Sequence, residues 1–138
     1  MKYPDGTTIR VGDLVWWNEG YFVGYVQVIA ESEDEYEGWG LDTPHIFVSS
    51  VHPFDPTMLI GVGHPESCLA DEGIGLLTAQ EQSELERVRI RAFELIPHDL
   101  EYSFYSVTTD VENLQLSRWV FTFYKDDVKV LKVAIPVK

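Results

Sequence analysis

From Val11 to Glu86 the chain contains no lysine and no arginine, against 15 Asp and Glu. Residues 1–10 and residues 87–138 each sum to +1, so this one segment, at −15, is the source of the −13 formal charge of the 138-residue chain. A continuous field of one sign attracts a basic partner and repels anionic ones. Nucleic acid and anionic membrane are excluded as partners, because phosphates need cations to displace their counterions. Cysteine is nearly absent: Cys68 stands alone, so no internal disulfide forms. Apolar runs stay far below the ~20 residues needed to cross a bilayer. No basic-then-apolar leader precedes Tyr3-Pro4-Asp5-Gly6, and a soluble cytoplasmic protein is expected. There is no phosphate-cradling glycine-rich loop, since the glycines are spaced as turns and bulges. Internal repeats, low-complexity tracts and clear linkers are also missing.

What is present argues for a packed core. The chain is 45% apolar and 13% aromatic with 4 Trp, too rich for disorder despite its charge. Its length suits one domain, 1–138, that buries about two-thirds of its unfolded surface without a disulfide or metal staple. The expected fold class is α+β: a small β-barrel-like part at 1–75 with acidic loops, then 76–138 with one long helix and a C-terminal antiparallel sheet.

Pro4-Asp5-Gly6 and Gly12-Asp13 read as turns. The second opens onto Leu14-Val15-Trp16-Trp17, and Asn18-Glu19-Gly20 leads into Tyr21 to Ile29, which predicts a hairpin. Gly24 in mid-strand marks a bulge or a sharp bend. His45 to Ser50 is a third strand, followed by a long Pro- and Gly-rich connection of the kind that is often functional. Thr78 and Glu81 form a capping box for a helix over 78–96, with Leu85, Val88, Ala92, Leu95 and Ile96 as its apolar stripe. Pro97 stops it. Glu84 and Arg87 are spaced to pair on its surface. Strands follow at 102–107, 119–124 and 128–135, with Asp126-Asp127 as a turn. The helix stripe can pack on one face of this sheet, or a single continuous sheet can serve both halves of the chain.

The densest acidic stretch is Glu31-Ser32-Glu33-Asp34-Glu35-Tyr36-Glu37-Gly38-Trp39-Gly40-Leu41-Asp42. Ser32 and Glu35 match a capping box, and Gly38 is placed to end a helix of little more than one turn. On that reading the acids decorate a solvated helix. It leaves unexplained why no cation compensates them for the next 49 residues. On the other reading, Glu31, Glu33, Asp34, Glu35, Tyr36, Glu37, Trp39 and Asp42, with Trp17, form a contact face for the Lys and Arg of a partner. Adjacent Trp16 and Trp17 point to opposite sides of a strand, one to the core and one more exposed.

Chemistry-bearing constellations are weak by comparison. His52, Asp55, His64 and Glu66 are nitrogen and oxygen donors, but they lie on Pro-rich loops with no repeated short spacing. Neither metal nor cofactor is expected. Acidic surroundings raise the pKa of Cys68, which opposes a thiolate nucleophile beside His64. Two further function classes remain: a metal-dependent hydrolase on the His52 quartet, and a peptide or methyl-lysine reader with Trp17, Tyr21, Tyr36 and Trp39 as an aromatic cage.

Tyr3-Pro4-Asp5-Gly6, Ile9 to Trp17, Gly20 and Gly24-Tyr25-Val26 resemble the opening hairpin of a small Src-homology-3-like barrel. With Tyr36-Glu37-Gly38-Trp39-Gly40-Leu41 and Asp71 to Leu77, residues 3–96 resemble small acidic immunity proteins of bacterial polymorphic-toxin and contact-competition systems. The resemblance implies binding to a cognate toxin and blocking of its active site, without catalysis. It assigns no contact residue; those named above rest on charge and aromatic character.

Overall fold

The structure, a computed structural model, describes residues 1–3, 5–17, 22–63, 74–113 and 115–137. Turn chemistry starts the fold. Gly6 and Gly12 both take left-handed backbone, with φ of 91° and 95°. Asp13 then knits the second turn: its carboxylate accepts from the Arg10 N–H at 2.9 Å and from the Tyr3 hydroxyl at 2.7 Å. Burial and the Asp13 carboxylate push the Tyr3 hydroxyl pKa up, so it stays a neutral donor.

The turn delivers the chain into β1 (Leu14–Trp17), which pairs antiparallel with β2 (Phe22–Ala30) as the expected hairpin. A short acidic helix α1 (Glu33–Gly38) follows, then β3 (His45–Ser49), β4 (Val51–His52), a 3-10 turn (Pro56–Met58) and β5 (Ile60–Gly63). β6 (Gly75–Leu76) pairs with β1, and the long helix α2 (Ala79–Glu94) comes next. β7 (Phe104–Glu112), β8 (Gln115–Lys125) and β9 (Val128–Pro136) close the chain as an antiparallel meander.

All nine described strands belong to one curled antiparallel sheet, ordered β5-β3-β2-β7-β8-β9, with β1 and β6 branching from β2. Of the two topologies open from sequence, the shared sheet is therefore the one adopted. The junction lies on β2. Tyr25 to Ala30 pair with β3, whereas Phe22 and Val23 pair with β7, and β4 takes the next stretch of the same β7 edge. The chain turns between β3 and β4 at Ser50, where the Ser49 hydroxyl contacts both the N–H and the carbonyl of Val51 at 3.4 Å. At that corner the Ser49 carbonyl oxygen lies 2.0 Å from where a Cβ on Gly24 would sit. Gly24 thus marks a close backbone approach. The bulge itself falls at the register shift between Val26 and Val28.

Two apolar clusters sit within the curl. One packs the α2 residues Leu85, Val88 and Ala92 against Val107, Trp119, Phe121, Phe123, Val133 and Ile135. Removing one such ring costs about 3–5 kcal/mol. The other gathers Tyr3, Ile9, Val15, Trp17, Val26, Ile46, Val48, Val62 and Ile74 in the N-terminal part. The α2 stripe is shorter than the periodicity predicts. Leu95 is the C-cap, its N–H bonded to the Ala92 carbonyl, and its side chain is 46% exposed. The capping box of Thr78 and Glu81 forms as expected. No helix among the described residues is long and apolar enough to cross a membrane.

Candidate functional site

The acidic stretch folds as the capping chemistry dictates. Ser32 Oγ accepts from the Glu35 N–H at 3.3 Å, and the Glu35 carboxylate accepts from the Ser32 N–H at 3.1 Å. That reciprocal pair holds the Glu35 pKa below the usual carboxylate range, the Ser32 bonds being the cause. Glu33, Asp34 and Glu35 fill the first turn, where carboxylates complement the exposed N–H groups. The helix ends at Gly38 as expected, and Gly40, at φ 76°, makes the left-handed exit. The Gly40 N–H bonds the Glu37 carbonyl at 2.9 Å and the Leu41 N–H bonds the Tyr36 carbonyl at 3.0 Å, a Schellman closure.

This geometry turns the charges outward. Glu31, Glu33, Asp34, Glu35, Glu37, Trp39 and Asp42 are all exposed, and Tyr36 is half-buried. Glu31 is held by the N-terminal ammonium of Met1. Glu33, Asp34, Glu37 and Asp42 have no ion pair among the described residues. The cations that return on α2 do not quench the field, because each is engaged within its own helix. Arg87, Arg89 and Arg91 pair with Glu84, Glu86 and Glu94, as the expected Glu84–Arg87 pair foreshadows.

Tyr36 reports the field directly. Its hydroxyl pKa is raised, first by desolvation and then by the charges of Glu33, Glu37 and Asp42. Changing those three to Gln, Gln and Asn is therefore expected to lower the Tyr36 pKa, read by ultraviolet or NMR titration. An unchanged value would mean that solvent screens the carboxylates from the ring.

The aromatic residues divide. Trp39 is 48% exposed at the helix C-cap, with its ring 4.3 Å from that of Phe47 on β3, so it presents one face to solvent and rests the other on the sheet. Trp17 is the correction: it is 5% exposed, lies in the N-terminal cluster and stacks on Phe22 at 5.7 Å. Of the adjacent pair it is Trp17 that faces inward, which removes it from any contact face. Trp16 is half-buried and fits against Gly75, where an added Cβ would meet its ring at 2.4 Å. Tyr21 lies outside the described residues, and Trp17 and Trp39 occupy separate environments.

Of the His52 quartet, the described residues include only His52 and Asp55. His64 and Glu66, like Cys68, lie outside the described residues. Asp55 caps the 3-10 turn, accepting from the Thr57 N–H at 2.9 Å and its hydroxyl at 2.8 Å. His52 stacks on Tyr105 at 4.9 Å and meets Tyr25 edge-on at 5.4 Å. Burial and the nearby Arg89 charge hold its pKa below that of a free histidine. Among the described residues no three His, Cys, Asp or Glu converge on a point.

Sequence reasoning singled out His52 but not its company. Tyr25, Tyr105 and Arg89 reach it from β2, β7 and α2, separations over which no spacing pattern speaks. No family model, curated protein or solved structure matches this chain.

Proposed function

We propose that this protein binds a basic partner protein through the face formed by α1, Trp39 and Asp42, and neutralises that partner by occlusion, without catalysis. The observation that carries the reading is the set of four carboxylates, Glu33, Asp34, Glu37 and Asp42, exposed around one short helix with no ion pair among the described residues. Unpaired surface charge of one sign steers association and selects against wrong partners more than it adds affinity. Trp39 beside them supplies a flat ring for apolar contact or for stacking with Arg, the residue types that concentrate binding energy at interfaces.

The resemblance of residues 3–96 to small acidic immunity proteins gives the partner a class: a toxin whose own substrate is anionic and whose active site is therefore basic. Such a toxin meets in this face a mimic of its substrate's charge. The test is co-purification of the tagged protein with the product encoded beside it, followed by an assay of that product's activity. A stoichiometric complex in which the toxin is silent, and regains activity when Trp39→Ala is combined with neutralised acids, is the expected result. A complex that leaves the partner fully active contradicts neutralisation, and no complex with any basic protein contradicts the reading as a whole.

A further inference from the structure

A second feature lies apart from the acidic helix, between α2 and the sheet. It is a cavity of about 280 Å³ that opens to solvent. Leu14, Val23, Leu85 and Val107 are its apolar lining. Its walls are polar and come from four elements: Tyr25 on β2, His52 on β4, Tyr105 on β7, and Gln82, Glu86 and Arg89 on α2. An apolar lining with a few convergent polar groups is the usual anatomy of a small-ligand site.

The donor inventory decides the chemistry. Glu86, the one carboxylate in the wall, already accepts from Arg89 Nε at 3.2 Å and Nη2 at 2.5 Å. Arg89 also hydrogen-bonds the Tyr105 hydroxyl, which leaves part of its five-donor fork open, and its guanidinium carbon lies 5.7 Å from the centre of the Phe93 ring. The Tyr25 hydroxyl and the His52 ring line the cavity, and the Tyr105 hydroxyl is hydrogen-bonded to Arg89. Gln82 spends its amide N–H on the Leu77 carbonyl at 3.1 Å. The wall thus offers hydroxyls, one imidazole, the Gln82 amide oxygen and the unspent N–H donors of a guanidinium, while its one carboxylate is turned to that guanidinium.

We propose that this cavity binds a small monocarboxylate with a flat apolar body. The carboxylate meets Arg89 and the tyrosine hydroxyls, and the body lies on the Leu14–Val107 lining beside the stacked His52 and Tyr105 rings. A single guanidinium suits one negative charge, whereas a phosphate draws on more donors than are present. The assignment stands independently of the acidic face.

The experiment is an NMR titration of the full chain with sodium benzoate at constant ionic strength, with benzylamine as the cation of the same shape. Saturable shifts of the His52 and Tyr105 ring resonances are expected, with a Kd of about 1 mM for a ligand of this size. Arg89→Gln is expected to weaken binding at least about tenfold, and benzylamine to leave those resonances in place. Tyr105→Phe, which keeps the ring stack, is expected to weaken it less. The variant with Glu33, Asp34, Glu37 and Asp42 made neutral is expected to bind benzoate as the parent does, which separates this site from the partner face. No saturable shift by about 20 mM, unchanged affinity in a folded Arg89→Gln protein, or an equal response to benzylamine overturns the proposal.

Discussion

Gly24→Ala is expected to lower the stability of this protein by about 3 kcal/mol or more, a fall in Tm of roughly 10 °C. The backbone at Gly24 is not left-handed, so the constraint is one of space alone. A methyl there would sit 2.0 Å from the Ser49 carbonyl oxygen and 2.8 Å from its carbon. These are backbone atoms in a strand anchored on both sides. Ser49 is held in the β2–β3 ladder, and Val51, two residues on, is held against β7. Relief would require β3 and β4 to move together, which opens the junction that makes two sheet halves one. The matched control is Gly38→Ala, in a helix with nothing within 4 Å of the added methyl. There the change is expected to be neutral or stabilising by a few tenths of a kcal/mol, because alanine loses less chain entropy. Paired thermal melts decide it. A Gly24→Ala protein that melts within about 2 °C of the parent would show that the corner is loose.

That corner also shows where the sequence speaks and where it falls silent. Gly24 interrupting an apolar β run announces a special position, but one residue cannot say whether a bulge, a bend or a close approach is meant. The answer depends on Ser49, 25 positions away. The longer elements were legible, because each rests on local chemistry, whereas the short strands β4, β5 and β6 were not: β5 forms the sheet edge within the stretch that reads as an irregular connection. Gly12-Asp13 turns the chain, Ser32 with Glu35 and Thr78 with Glu81 cap helices, and Trp119, Phe121 and Phe123 enter the core, although Val120 and Thr122 between them are buried too. Boundaries were less so. α1 ends at Gly38 as its composition suggests, but the left-handed residue that closes it is Gly40, which a composition rule does not single out. Leu95 fits the helical stripe by spacing yet falls past the last turn. For the candidate site, the acidic face was readable because charge needs no partner to be visible. Trp17 was misplaced because two adjacent tryptophans fix only that they oppose each other, not which one faces inward. The cavity around His52 was beyond reach, since its walls come from four elements far apart in the chain.

The second large effect concerns association with the partner. Exposed carboxylates act over about a Debye length, ~10 Å at 0.1 M salt, so they speed encounter rather than hold the complex. Glu35 is better left alone in such a test, because it closes the capping box and its loss would unwind α1 as well as remove charge. Glu33→Gln, Asp34→Asn, Glu37→Gln and Asp42→Asn together remove four charges and leave the cap intact. The direct measurement is stopped-flow association of parent and variant with the purified partner across a salt series. The parent is expected to associate at ~10⁸ M⁻¹s⁻¹ at low salt and to slow steeply as salt rises. The variant is expected to start at least about tenfold slower, with a shallow salt slope and a dissociation rate little changed. Parent and variant with the same on-rate at every salt concentration would contradict the account and leave α1 a solvated cap with no part in recognition.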